Sequence, residues 1–297
     1  MKKHADRRHK GNSRLPVSAA PFGAAAAVCL AGLVTTYVFF VKSTAGQFLD
    51  ESALVEAAVA RRFLGSQSAQ ILDLLPVTSA VIAAFVVLFV TLARRRWKAA
   101  GIALAAMAAA NLSTQLIKAG LPNRPDMGVT TLALNSLPSG HSTLAASAAA
   151  AVFLVVSPRW RPATAFLGSS YAVLAGISTL INQWHRPADV LAAFFLVSIW
   201  TLAAAWLILR CDGGWNVWLG SNQHWATSRW WGFISGIFTV LASTATALLL
   251  HSVSGNPTDS TTRYFLSGVG AIVAVGYGLA LAGILFMNHQ VRRRQSG

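Results

Sequence analysis

The sequence predicts an all-α, polytopic membrane bundle of about eight transmembrane helices, and three observations carry that expectation. Of 297 residues, 55% are apolar and only 11% are charged, where a soluble domain carries about 25% charged residues. Apolar runs recur along the chain at the ~20-residue length that an α-helix needs to cross ~30 Å of hydrocarbon. The cations fall in short clusters between those runs, such as Arg94, Arg95, Arg96 and Lys98, or Arg292, Arg293 and Arg294, as loops beside spanning helices do. A net charge of +15 would suggest a nucleic-acid partner in a soluble chain. Here no basic stripe interleaved with aromatics lies outside the spans, so nucleic acid is set aside.

In chain order, residues 1–17 form a basic tail (Lys2, Lys3, Arg7, Arg8, Lys10). The first span, 20–41, is too long and lacks the small-residue cleavage site of a removable leader, so it is expected to stay as an anchor. Residues 43–70 are too polar to span. Leu49, Ala53, Leu54, Ala57, Ala58 and Phe63 approximate one helical face and Asp50, Glu51, Glu56, Arg61 and Arg62 the other, which predicts a helix lying in the outer interface, with a loop as the alternative. Further spans are expected at 71–93, 99–118, 139–157, 163–182, 187–209, 231–251 and 265–287. This divides the chain into the tail, a six-helix core over 18–211 and a C-terminal helix pair over 212–297. The last pair offers a surface for packing, for a homo-oligomer or for flanking a lipid path.

With the tail on the cytoplasmic side, inside segments hold 17 Lys and Arg and outside segments hold 7, which the positive-inside rule favours. Both termini are then cytoplasmic, in a plasma membrane such as a bacterial inner membrane. Most tryptophans, Trp97, Trp160, Trp184, Trp215, Trp218, Trp225, Trp230 and Trp231 among them, fall near span ends, where their rings suit the headgroup level. Cys29 and Cys211 lie at different depths, so neither a disulfide nor a metal cluster is expected.

Ionisable groups next to hydrocarbon are costly and usually have a task; here they concentrate on the outer side. Lys118 closes the third span, and Arg124-Pro125 follow. Pro138-Ser139-Gly140-His141 opens the fourth, where unpaired backbone N–H groups and the helix dipole make an anion site. Ser139 can cap it, and Gly140 lets an oxyanion approach. An ordinary helix cap with an interfacial histidine is the alternative. His185 and Asp189 open the sixth span. A carboxylate one turn along can fix the imidazole tautomer and leave the other nitrogen as nucleophile or base, although a purely structural hydrogen bond fits that spacing too. Lys118 and Arg124 can neutralise phosphoryl oxygens without a metal, or snorkel and be solvated. Asp73, His251 and Asp259 read as interfacial or solvated.

Together, Lys118-x5-Arg124-Pro125, Pro138-Ser139-Gly140-His141 and Ser178-Thr179-x5-His185-x3-Asp189 resemble the three-part signature of the type-2 phosphatidic acid phosphatases, or lipid phosphate phosphatases. The resemblance covers residues 118–189. It implies hydrolysis through a phosphohistidine with no metal or other cofactor: His185 attacks phosphorus, Asp189 orients it, and His141 protonates the leaving oxygen. Lys118, Arg124, Ser139 and the Gly140 amide then hold the phosphate. Two positions depart from the pattern. Five residues, where the family usually has six, separate Lys118 from Arg124, and Thr179 stands where the family has an arginine; Arg186 is a candidate replacement clamp. The expected substrate is a lipid phosphate or diphosphate, either a polyprenyl (undecaprenyl-type) carrier or phosphatidic acid. The rival readings are a lipid-linked phosphotransferase and a degenerate member acting as transporter or scaffold.

Overall fold

A computed structural model describes residues 18–131, 134–211, 215, 225–253 and 260–295. The basic tail, Trp218 and Asp259 lie outside the described residues, as do the side chains of Arg292, Arg293 and Arg294. Eight α-helices make up the described chain: α1 (Ala20–Lys42), α2 (Thr44–Arg94), α3 (Trp97–Gly120), α4 (Gly140–Val155), α5 (Arg161–Ile181), α6 (Pro187–Cys211), α7 (Trp230–Val253) and α8 (Arg263–Gln295). Seven are long and apolar enough to span a membrane, and no strand occurs among the described residues. The all-helical membrane bundle is thus the fold. Cys29 and Cys211 are free.

Two elements differ from expectation. The fourth is a helix of 16 residues, about 24 Å long at 1.5 Å per residue, short of a full ~30 Å crossing. Its alanines and hydroxyls pack against α2, α3, α5 and α6, and Ala145, Ala148, Thr143 and Ser142 are fully buried. It is the central post of the bundle and meets protein more than lipid.

The larger correction concerns 43–70. It is neither a separate interfacial helix nor a loop but the first half of the 51-residue α2, continuous with the second span. Nothing between Gly65 and Pro76 breaks the ladder; near Pro76, the Thr78 hydroxyl donates to the Leu75 carbonyl and bonds the Tyr171 hydroxyl. A stripe at helical spacing runs buried along the helix, through Gln47, Asp50, Leu54 and Ala57, then Ser68, Leu72, Leu75, Ser79, Ala83 and Val87. Asp50, assigned by pattern to the solvated side, belongs to this stripe because its partners are inside the protein.

Two helices are registered by polar contacts. Along α3 and α4, Asn111 donates to the Ser147 hydroxyl at 3.0 Å, and Thr114 and Thr143 share a bond of 2.9 Å. Small polar residues about one turn apart suit close interhelical bonding in hydrocarbon, and the next step of the register brings Lys118 opposite Gly140. At the other end of α4, Trp215 is fully buried rather than interfacial. Its indole donates to the Leu154 carbonyl at 2.7 Å, and the Arg161 guanidinium lies 4.1 Å from its ring centroid.

Helix α8 crosses close to α5 at Gly176, where an added Cβ would stand 2.5 Å from Val190 Cγ1 and 3.5 Å from Ile272 Cγ2. Overpacking of this kind costs about 1–3 kcal/mol. Gly176→Val is therefore expected to lower the thermal unfolding midpoint of the detergent-purified protein, whereas Gly101→Ala, with open space around it, should not; an unchanged midpoint for Gly176→Val would contradict this packing.

Candidate active site

Three helix ends and two connections meet at one side of the bundle. The α3–α4 ladder delivers Lys118 to the mouth of α4: a Cβ placed on Gly140 would have Lys118 Nζ at 3.9 Å and Gln115 Nε2 at 4.0 Å as its nearest neighbours. The glycine leaves the backbone of the first turn open beneath a cation. Ser139 caps that turn by accepting from the Ser142 N–H at 3.3 Å, and its own N–H donates to the Asp189 carbonyl at 2.8 Å. The mouths of α4 and α6 are thereby tied by backbone. Lys118 is half-buried and has no ion-pair partner among the described residues.

The connection from α5 to α6 is a tight turn, in which the N–H groups of Trp184 and His185 both donate to the Thr179 carbonyl, at 2.9 and 3.3 Å. Gln183 takes a φ of 60°; its amide donates to the Leu54 carbonyl of α2 at 2.9 Å. The turn sets His185 at the entrance of α6 with its Nδ1 3.1 Å from Asp189 Oδ2. With Nδ1–H as donor, Nε2 is left with its lone pair free. The same carboxylate oxygen accepts from the Ser136 hydroxyl at 2.6 Å and from the Arg186 N–H at 3.1 Å. Asp189 is fully buried and His185 nearly so. The His141 ring lies with its centroid 6.5 Å from that of His185 and 5.4 Å from that of Trp184. The two imidazoles therefore flank one gap, beside Lys118 and the open Gly140 backbone.

Arg124 is buried and paired with Asp50 of α2, Nη2 to Oδ2 at 2.9 Å. Its Nε and Nη1 are buried without a protein partner, two donors directed at nothing the chain itself provides. Such groups are rare and call for an explanation.

Arg186, the candidate replacement clamp, and Thr179, at the position of the family's arginine, are both engaged elsewhere. Arg186 is buried, its Nε bound to Glu51 Oε2 at 2.7 Å, Nη2 to the Thr131 hydroxyl at 2.7 Å and Nη1 to the Ser136 hydroxyl at 3.3 Å. Each guanidinium nitrogen has a partner, so Arg186 braces the loop instead of offering a replacement clamp. Thr179 is fully buried, and its hydroxyl donates to the Gly176 carbonyl at 2.7 Å, back along α5. Asp73 is exposed on α2, near enough for its charge to act on His141; His251 is exposed on α7. Among the described residues, no cluster of three or more His, Cys, Asp and Glu side chains could hold a metal ion.

Sequence reasoning missed Asp50, Glu51 and Ser136. Asp50 could have been noticed from its place at i+3 from Gln47 and four before Leu54, on a stripe that is otherwise apolar downstream. Ser136 carries no such signal, since only the fold brings it to Asp189.

No curated protein and no solved structure matches the chain. A family model described as the PAP2 superfamily matches residues 100–216, a stretch that runs from the head of α3 past the end of α6 and contains Lys118, Arg124, Ser139, Gly140, His141, His185 and Asp189. Residues 100–216, less than half of the chain, are thus similar to the PAP2 superfamily, which is consistent with a type-2 phosphatidic acid phosphatase family member.

Proposed function

We propose that this protein is an integral membrane phosphatase that hydrolyses a lipid phosphate or diphosphate at the outer face of a plasma membrane, through a phosphohistidine and without a metal. The superfamily implies phosphatase activity on phosphate esters; the finer reading is ours. The observation that carries it is the pair of neighbouring imidazoles, 6.5 Å apart between centroids and inclined at 62°, of which only His185 has a carboxylate on Nδ1. A phosphoryl group seated in the gap would meet Nε2 of His185 on one side and His141 on the other.

In the first step the His185 Nε2 lone pair forms the N–P bond as the P–O bond to the leaving group breaks, the ester bond of a monophosphate or the anhydride bond of a diphosphate, and His141 gives its proton to the departing oxygen of the lipid alcohol or lipid monophosphate. Asp189 stabilises the charge that develops on the His185 ring. In the second step His141 takes a proton from water, whose oxygen attacks phosphorus; the N–P bond breaks and inorganic phosphate leaves. Lys118, the free Nε and Nη1 of Arg124 and the N–H groups at the mouth of α4 would neutralise the equatorial oxygens. Lys118 has no carboxylate ion-pair partner among the described residues, which suits an anionic substrate. A lipid substrate is supported by the position of the site at helix ends of a membrane bundle. We favour a polyprenyl diphosphate or phosphate over phosphatidic acid, because the charge distribution supports an outward-facing site, where such carriers would be recycled.

His185→Ala is expected to abolish phosphate release from a panel of lipid phosphates and diphosphates, and His141→Ala to lower it by about 10²–10⁴-fold. A chelator should leave the rate unchanged, and loss of activity on chelation would refute the metal-free reading. Release that requires an added acceptor would instead identify a phosphotransferase. Ser136→Ala removes the shortest hydrogen bond to Asp189, and losing one donor to a buried carboxylate costs about 1–3 kcal/mol. It should reduce kcat by about tenfold or more with little change in KM; a rise in KM alone would assign Ser136 to binding. For orientation, an impermeant thiol label added from outside should reach a cysteine at the exposed position Asn123 and miss one at Lys98, and the opposite pattern would reverse the topology.

A further inference from the structure

Away from the phosphate site, a cavity of about 420 Å³ lies among α1, α4, α5, α6 and α8, a size within the ~300–1,000 Å³ of small-molecule sites. Its walls are mostly alanine, glycine, valine, leucine and phenylalanine side chains, and the hydroxyls among them have already given their hydrogens to backbone carbonyls. Thr164 donates to the Trp160 and Arg161 carbonyls, Ser169 to Gly276 at 2.9 Å, Ser198 to Phe194 at 2.9 Å and Thr201 to Val197 at 2.7 Å. Water needs two to four polar partners to stay in a buried site; this one offers the Cys29 thiol and a few hydroxyl lone pairs dispersed over otherwise apolar walls, a lining that suits hydrocarbon better than water. The two exposed residues in the lining, Val28 of α1 and Ala282 of α8, mark a lateral mouth toward the bilayer. At one end α1 and α8 are closed together by the edge-to-face pair Phe22–Phe286, 4.9 Å between centroids.

The cavity does not continue into the phosphate site. On α6 it begins at Phe194 and on α4 at Ala146, each five residues past a site residue (Asp189, His141) and so turned about 140° around the helix at 3.6 residues per turn. Leu180 and Val190, next in sequence to Thr179 and Asp189, and Ile272 are absent from the cavity lining and pack as one buried cluster with Phe194, which lines it. A substrate chain anchored at His185 would have to cross that cluster.

We infer that this cavity is a binding site for one hydrocarbon chain of a bilayer lipid that is not the substrate, inserted sideways between α1 and α8. The site goes beyond the phosphatase reading and stands without it. It is shared between the PAP2 segment, which supplies α4, α5 and α6, and α1 and α8, which lie outside the matched residues.

Gly283 gives the test. It lines the cavity, and a Cβ there meets nothing within 4 Å, so Gly283→Leu should fill the space without displacing the fold. Wild-type protein reconstituted in phosphatidylcholine vesicles, then gently extracted, should retain one phosphatidylcholine per chain in native mass spectrometry, and Gly283→Leu should retain none. A long-chain alkyl methanethiosulfonate should modify Cys29 from the bilayer in the wild type and at least tenfold less in Gly283→Leu. The charged sulfonatoethyl reagent should reach only the exposed Cys211. Should Gly283→Leu fail to fold, Ala25→Phe fills the same space from α1 and is expected to give the same losses.

Phosphate release should be unchanged in either variant, and because lipid retention is read by mass, an inactive wild type would overturn the phosphatase reading alone. Equal lipid retention and Cys29 labelling in wild type and variant would overturn the cavity assignment. So would a raised KM for long-chain lipid phosphates with the KM for a soluble phosphate ester unchanged, since the cavity would then serve the substrate.

Discussion

The arrangement of the candidate site depends on one buried carboxylate. Asp50 is 1% exposed; its Oδ2 takes the Arg124 guanidinium at 2.9 Å, and its Oδ1 takes the Ala188 N–H at 2.9 Å. One oxygen therefore fixes a cation on the loop after α3, and the other fixes the first turn of α6, one residue before Asp189. Burying such a charge costs several kcal/mol unless partners compensate, and here a full positive charge and a helix N-terminus both do. A buried pair of this kind is weak evidence for net stability. Its effect is on position: Arg124 and Asp189 cannot drift apart without stranding Asp50 in a medium that cannot solvate it.

The neighbouring acid extends the same logic by another path. Glu51 holds Arg186, Arg186 reaches the Ser136 hydroxyl, and Ser136 donates to Asp189. The Asp189 oxygen that orients His185 therefore sits at the end of a chain of charge-assisted hydrogen bonds that starts on α2. Such bonds are stronger in a low-dielectric interior than in water, and an unpaired member is correspondingly costly. This explains why Arg186 does not take the place of the arginine replaced by Thr179. Its guanidinium is already committed to the loop that carries Ser136, so in the proposed reading the phosphate would be held by Lys118, Arg124 and the α4 mouth.

Much of this was legible in the sequence, for a physical reason. Span positions follow from apolar length, and the convergence of Lys118, His141, His185 and Asp189 follows from which helix ends share a side of the membrane. Periodicity also marks which face of a helix is apolar. It does not say whether a polar residue on the margin of that face will find a buried partner, because the partner is remote: Arg124 is 74 residues from Asp50, and Arg186 is 135 from Glu51. The same ignorance made 43–70 look like a surface helix. Its acids read as solvated until the loops they hold were in place, and with them satisfied inside the protein there was no cause for the helix to stop before the second span. Arg186 was misjudged in the same way, since its closeness in sequence to His185 says nothing of where its guanidinium points.

Helix α2 also explains how the helices outside the matched segment join it. Glu56, one and a half turns beyond Asp50, accepts from the Ser260 hydroxyl and from the Phe265 N–H at the start of α8. Three of the chain's nine acidic residues thus lie within seven positions of α2, each bound to a different piece: Asp50 to Arg124 and the head of α6, Glu51 to Arg186, Glu56 to the head of α8. Below that level the Ser169 hydroxyl donates to the Gly276 carbonyl and the Ser170 hydroxyl bonds that of Tyr277, while Gly268 lies against Pro187 and Gly276 against Val173, each with no room for a Cβ. The polar anchor sets the depth of α8 and the small residues set its distance. The same packing presses α8 on Pro187, the first residue of α6, so a displacement of α8 would be felt at the helix turn that carries Asp189. The C-terminal helix pair is mechanically continuous with the candidate site although it contributes no residue to it.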